Sequence, residues 1–205
     1  MRINPKLLIG LGLLLVIGYF LQDLVFNDDQ YAARLRKART EKDNSFRLVK
    51  GSPLSEEQRN TFDSLKYYVP DQAYRFEAQL EPFAQRDTVE MPLTNGKADK
   101  YLRWGRASFI LSKQEYKLTL FLKADGKDST LFVPFTDRTN GRGSYGGGRY
   151  LDATRPAPGD TEIVLDFNAA YNPFCAYNDG FACPVPPQDN RLAVDIPAGE
   201  KAYKE

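Results

Sequence analysis

The sequence contains no histidine. This removes the commonest general base and the commonest transition-metal ligand together, so neither a Ser-His-Asp nor a Cys-His arrangement can be built from one chain. Cysteine is scarce as well, with only Cys175 and Cys183 present. Two thiolates do not fill a tetrahedral zinc site, and no carboxylate spacing completes one, so neither a metal nor a cofactor is expected. An excess of one charge is also missing: 28 Lys and Arg stand against 27 Asp and Glu, a net of +1. A nucleic-acid footprint needs a basic excess or a clustered basic face, which excludes nucleic acid as an expected partner. The chain has no internal repeat and no low-complexity run.

The first feature present is an apolar run, Leu7 to Leu21, preceded by Arg2 and Lys6 and followed by Asp23, Asp28 and Asp29. Extended to Phe26 it gives about 20 residues, or roughly 30 Å of helix, enough to cross a bilayer. The residues at its exit, Tyr19, Phe20 and Leu21, are large, so the small-residue cleavage pattern of a secretory signal is absent. The reading is an uncleaved signal anchor over residues 1–26; a cleaved signal is the alternative. The basic flank precedes the span, which keeps the start in the cytoplasm and exports the remainder. The expected location is therefore a membrane-anchored chain with an extracytoplasmic C-terminal domain. Residues 27–51 form a juxtamembrane linker, helical over Asp29 to Thr40. Tyr31, Leu35 and Ala38 share one helix face and Arg34, Arg36, Lys37 and Arg39 the other. The basic face is either a solvated spacer or a contact for anionic lipid.

Ser52-Pro53-Leu54 breaks the chain. Ser55 with Gln58 forms a capping box, Glu56 and Glu57 suit the first turn, and the helix is expected to end near Leu65. Beyond it the pattern alternates with period two: Ala73–Leu80, Thr88–Met91, Tyr101–Leu111 with Trp104 inward, Glu115–Lys123, Thr130–Phe135, Arg149–Ala153, Glu162–Phe167 and Leu192–Ile196. Asn95-Gly96 and Asp125-Gly126 mark turns. About eight short strands with hairpin signals and no helices between them predict a mainly β fold, an antiparallel sandwich or partly open barrel. Residues 52–205 are its domain.

Two loops carry the candidate chemistry. Gly141, Gly143 and Gly146 formally match G-x-G-x-x-G, but a dinucleotide site needs a helix straight after the glycines, and here Gly147, Gly148 and a strand follow. Dense glycine instead signals left-handed backbone or a close approach. Arg138, Arg142 and Arg149 bracket this bend. Backbone N–H groups with arginines can cradle an anion; a hairpin bulge with solvated arginines is the alternative. The second loop, Asp166 to Asn190, holds both cysteines, Pro173, Pro184, Pro186 and Pro187, and several aromatic residues. Proline stiffness with aromatic content predicts an ordered, packed loop. Cys175 and Cys183 in an exported domain read first as a disulfide, with buried free thiols next and metal binding or catalysis last. Asp137, Asp152 and Asp166 sit near strand ends around the bend, where they serve either acid–base work or pairing with Arg138, Arg142 or Arg149.

The motifs FTDRT (135–139), YGGGRYL (145–151), LDFNAAYNP (165–173), CAY (175–177), CPVPP (183–187) and AGEK (198–201) occur in this order. Together with Ser52-Pro53-Leu54 and Tyr67-Tyr68, they resemble the DUF1684 family over roughly Ser52 to Lys201. The resemblance implies a shared fold. The family has no assigned activity, so no residue role is carried over.

The expected function is a membrane-tethered module that binds a small anionic or polar ligand or serves a structural role. Its candidate ligand-binding residues are Tyr145, Gly146, Gly147, Arg149, Asp166, Asn172 and Tyr177, placed where the two loops face each other. A competing account has the loops plug one barrel end, with Arg149 paired to Asp137 or Asp166. The alternative function is a hydrolase-like enzyme using Arg, Asp and Tyr residues of the same loops. Convergence of Tyr145, Arg149, Asp166 and Asn172 on one deep cavity separates a ligand site or enzyme from a purely structural module.

Overall fold

The structure, a computed structural model, describes residues 29–48, 50–124 and 129–204, together with Gly10 and Val16. The apolar span 7–26 expected to anchor the chain lies outside the described residues apart from these two. Among the described residues no helix is long and apolar enough to cross a membrane. The turn at Asp125-Gly126 also lies outside them. The chain divides into a unit of residues 1–41 and a larger unit of residues 42–205. In the first, residues 29–41 are helical, as their composition predicts. Lys37 and Glu41 approach to 4.0 Å one turn apart, both largely exposed, a pair that contributes about 0.3–0.5 kcal/mol.

The second unit is mainly β. Its strands are β1 (Arg75–Pro82), β2 (Thr88–Pro92), β3 (Ala98–Leu111), β4 (Gln114–Lys123), β5 (Thr130–Phe135), β6 (Arg149–Thr154) and β7 (Glu162–Asp166). They form one antiparallel sheet of order β6-β5-β4-β3-β1-β7, with β2 on β3. β6 and β7 come side by side without a ladder, so the sheet is nearly closed into a barrel. β3 is long enough to carry β2 along residues 98–102 and β1 along residues 105–108. The expected strand over Leu192–Ile196 does not form. Leu192 N–H bonds Thr136 O at 2.8 Å, but the Ile196 N–H is taken by the Asp137 carboxylate at 3.2 Å. A carboxylate in place of a backbone carbonyl ends the ladder, leaving seven strands among the described residues.

A bulge between Arg103 and Gly105 explains how β3 keeps its apolar residues inward. The even-numbered Leu102 and Trp104 face the core before it, and the odd-numbered Ala107, Phe109 and Leu111 after it. Without the extra residue the second half would point to solvent. A Cβ on Gly105 would lie 2.8 Å from Glu81 O, so the close approach of β1 there requires glycine. Trp104 is buried as expected, although its indole N–H has no hydrogen-bond partner. The core is filled by Leu118, Leu120, Leu131, Val133, Phe135, Leu151, Leu165, Phe167 and Ile196, among others. Each such side chain contributes about 1.5–3 kcal/mol by leaving water. Tyr101, Phe121 and Met91 form a small cluster of their own.

β5 contains Pro134, which has no N–H to give to a ladder. β4 and β5 match at only one register position, Phe121 with Phe132. The fully buried Asn190 fills the gap. Its carboxamide accepts from Thr119 N–H at 2.7 Å and donates to Thr119 O at 2.9 Å and Pro134 O at 2.8 Å. One side chain therefore stands in for a strand partner, which satisfies the backbone groups that the proline leaves open.

The capping box at Ser55 and Gln58 is present, and its helix, Glu56–Thr61, stops earlier than the expected Leu65 because Phe62 is extended. Leu65 instead enters a second apolar cluster with Phe46, Leu54, Ala176 and Tyr177. The β unit begins at Lys42, so the helical residues 42–47 belong with it: Phe46 packs edge-on against Tyr177, with centroids 4.9 Å apart. Asn95-Gly96 makes the expected turn, with Gly96 at φ +80.

Candidate functional site

The two suspected loops do face each other. A Cβ on Gly148, itself at φ +93, would lie 2.7 Å from Phe135 O and 2.8 Å from Pro186 of the other loop. This glycine is required by both conformation and space. Gly147 lies under the Tyr145 ring, with only 2.6 Å between a built Cβ and that ring.

Arg149 points inward and is completely buried. Its Nη2 donates to Asp137 Oδ2 at 2.8 Å and to Ile196 O at 2.8 Å, and its Nη1 donates to Ala198 O. Asp137 is buried in turn; its Oδ1 accepts from Thr139 N–H at 2.8 Å, from the Thr139 hydroxyl at 2.6 Å and from Ile196 N–H. The pairing of Arg149 with Asp137, one of the two accounts of the bend, is thus the one realised. The guanidinium tethers the C-terminal segment to the barrel. Its Nε has no partner.

Asn172 and Tyr177 gather around another buried carboxylate, Glu200. The Tyr177 hydroxyl donates to Glu200 Oε1, as does Asn172 Nδ2 at 3.1 Å, while Asn172 N–H donates to Oε2 at 3.2 Å. Lys42 Nζ reaches Oε2 at 2.7 Å and lies 5.1 Å from the Tyr171 ring centre. Burial, then the Glu200 charge, push the Tyr177 phenol well above its usual range, so it remains a hydrogen-bond donor. Asp166 is elsewhere again. It accepts from Asn168 N–H at 3.0 Å as the cap of a short 3-10 turn, and lines a hollow of about 510 Å³ at the β6–β7 seam with Arg75, Arg155 and Asp160. Asp152 accepts from the Tyr171 hydroxyl at 2.9 Å. Tyr145, Arg149, Asp166 and Asn172 therefore do not converge on one cavity.

The two cysteines are free thiols, not the expected disulfide. Both are buried, and Cys175 N–H donates to Cys183 Sγ at 3.0 Å. Desolvation pushes the Cys183 thiol up to about 12, with the neighbouring Cys175 adding to it. A protonated, shielded thiol is a poor nucleophile. The Tyr145 hydroxyl lies 3.9 Å from Cys175 Sγ, and its phenol is pushed up to about 12, first by burial and then by Cys175.

What the bend does offer to solvent is a cavity of about 610 Å³. Gly141, Arg142, Gly143, Ser144, Tyr145 and Gly146 form one wall, and Lys66, Tyr68, Lys201, Ala202 and Lys204 the other. Its described lining has four cationic side chains and no carboxylate. The walls are held by backbone bonds: Lys201 N–H to Lys66 O at 2.8 Å and Ala202 N–H to Gly143 O at 3.0 Å. Lys201 Nζ sits 5.0 Å from the Tyr68 ring centre, and Arg142 reaches Asp195 at 3.0 Å outside the cavity lining. Of the residues expected here, Tyr145 and Gly146 line this cavity. Lys66, Tyr68, Lys201 and Lys204 were missed as site residues, because lysines without a surrounding motif carry no local signal; Tyr68 and Lys201 were traced only as parts of the Tyr67-Tyr68 and AGEK motifs.

The chain belongs to the DUF1684 family, described as proteins of unknown function, whose model matches residues 60–201. It is also similar to a solution NMR structure of the uncharacterized protein from gene locus rrnAC0354 of Haloarcula marismortui. That protein is 39% identical, with 85% of this chain and 96% of that chain covered and a TM-score of 0.68. No curated protein matches.

Proposed function

We propose that the chain is a membrane-tethered, extracytoplasmic binding module that takes a small anion in the cavity beside the glycine bend. The observation that carries the reading is the lining of Lys66, Arg142, Lys201 and Lys204 with no described carboxylate among them. Arg142 is already met by Asp195 at 3.0 Å, so the unmet charge is that of Lys66, Lys201 and Lys204, which repel one another around the hollow until an anion relieves them. Arginine and lysine together suit phosphate or carboxylate, the first as a planar fork and the second as a point charge. The tether rests on Leu7–Phe26 and its basic flank.

Titration calorimetry of the detergent-solubilised full chain with inorganic tripolyphosphate tests the site. Binding that Lys66→Glu and Lys204→Glu each weaken by about tenfold, roughly 1.4 kcal/mol, supports it. Undetectable binding to the wild type, or binding indifferent to both changes, overturns it. For the tether, intact mass of the membrane-extracted protein retains residues 1–26 if the anchor is uncleaved; their loss refutes it.

A further inference from the structure

The glycine bend has basic hollows on two sides. The second, about 450 Å³, lies between the bend and the proline-rich loop and is lined by Arg138, Arg191, Pro186, Pro187 and Gln188. Asp137 also contributes to its wall, but its side chain is fully covered and its carboxylate is met by Arg149 at 2.8 Å. Gly146 lines both hollows. It is exposed, and a Cβ built on it would meet nothing nearer than the Gly141 backbone at 4.0 Å. The ridge between the hollows is therefore bare backbone with open space above it. Neither its φ nor its packing demands glycine at this position, unlike Gly148, and the missing side chain leaves the passage between the hollows open.

A single small anion is fully met by the cations of the first hollow. Arg138 and Arg191 do not line that hollow; they stand on the wall of the second, which shares Gly146 with the first. Charge presented in two adjoining basins joined by a low ridge matches a ligand whose own charge repeats along a chain. We infer that a linear polyanion bearing repeated phosphate groups lies across Gly146, from the Lys66–Lys201–Lys204 hollow into the Arg138–Arg191 hollow. An arginine fork can hold two oxygens of one phosphate group at once, and a phosphate chain is favoured over a carboxylate polymer because it carries a charge on every unit with no uncharged spacer between them. This rests on the first hollow being an anion site and extends it to the length and chemistry of the ligand.

The test compares two probes, tripolyphosphate and long-chain inorganic polyphosphate, by titration of the full chain in detergent. The long chain is expected to bind more tightly, with a steeper salt dependence, since more counterions leave on binding. Replacing both Arg138 and Arg191 with alanine should weaken the long chain by about tenfold and leave tripolyphosphate unchanged. Gly146→Trp, which raises the ridge, should also weaken the long chain, by obstruction. If tripolyphosphate binds but neither variant affects the long chain, the extended path is wrong and the small-anion site stands. If neither probe binds, both readings fall. Equal affinity for polygalacturonate, a carboxylate polymer, overturns the assignment to phosphate.

Discussion

Asp137 and Glu200 are both carboxylates with almost no exposure, both fixed at the same end of the β unit, and they are satisfied in opposite ways. Asp137 faces an arginine as buried as itself, and both pair members have fully covered side chains. Glu200 has a lysine whose side chain is one quarter exposed, and it leans on Tyr177 and Asn172 for its other bonds. The Asp137 centre is closed. Removing its cation strands a charge that water cannot reach, with Thr139 and Ile196 still holding the carboxylate in place. The Glu200 centre has an entrance through Lys42, and neutral donors remain when the lysine is gone. Burial of an ion pair is thus no single quantity; the cost of breaking it depends on what else holds the survivor.

The comparison predicts a ranking. Arg149→Ala should have the largest effect, a loss of about 3–5 kcal/mol, since it leaves a buried carboxylate unpaired; a denaturant midpoint measured beside the wild type reads it. A loss below about 1 kcal/mol would show that water reaches Asp137 after all. Lys42→Ala should cost about 1–3 kcal/mol in the same experiment, because hydrogen bonds to Glu200 persist. Equality with Arg149→Ala would erase the distinction drawn here. Alkaline stability separates the neutral partners from the charged ones. The Tyr145, Tyr150, Tyr171 and Tyr177 phenols and the Cys183 thiol are all raised in the fold, chiefly by burial. Their stabilising contribution is complete below the ordinary thiol and phenol values of 9.0 and 10.0. It falls as pH rises towards about 12 for Cys183 and Tyr145, because the native state then binds more protons than the unfolded chain. The melting temperature should drop steadily above pH 9; a melting temperature unchanged between pH 9 and about pH 12 would contradict it. The smallest effect belongs to Arg142→Ala. Its pair with Asp195 is more than half exposed on both sides, so the denaturant midpoint should move by less than about 1 kcal/mol while tripolyphosphate affinity falls.

Much of the barrel was legible because alternation is a local signal. Phe76, Ala78 and Leu80 turn inward as their spacing requires, and Ser55 with Gln58 announces its helix start within four letters. Leu192–Ile196 misled for the same reason. Its alternation reports which side chains are buried, and Leu192 and Ile196 are, but it cannot report that Asp137 takes the N–H a strand partner would need. The pairing of Arg149 with Asp137 was within reach, since both lie beside one bend. Glu200 with Lys42 was not: the two are 158 positions apart, and each reads as an ordinary surface charge. Asn190 was equally silent, because its role is set by Pro134 on a strand far from it in sequence. Tyr145 and Gly146 were found through the bend, while the lysines opposite them came from two other places in the chain, Lys66 and the pair Lys201 and Lys204.

The insertion of Asn190 between β4 and β5 has a consequence for how the protein is made. The carboxamide that completes the sheet follows the last strand in sequence, and so do the Ile196 and Ala198 carbonyls that receive Arg149. A chain emerging amino end first has all seven strands available before it has the residues that seal them. Until then Thr119 and Pro134 hold open backbone groups to water, and Arg149 has no carbonyls to grip. The barrel is thus latched after its strands, by residues 190–198, and a ribosome still holding that stretch holds the domain short of its native state.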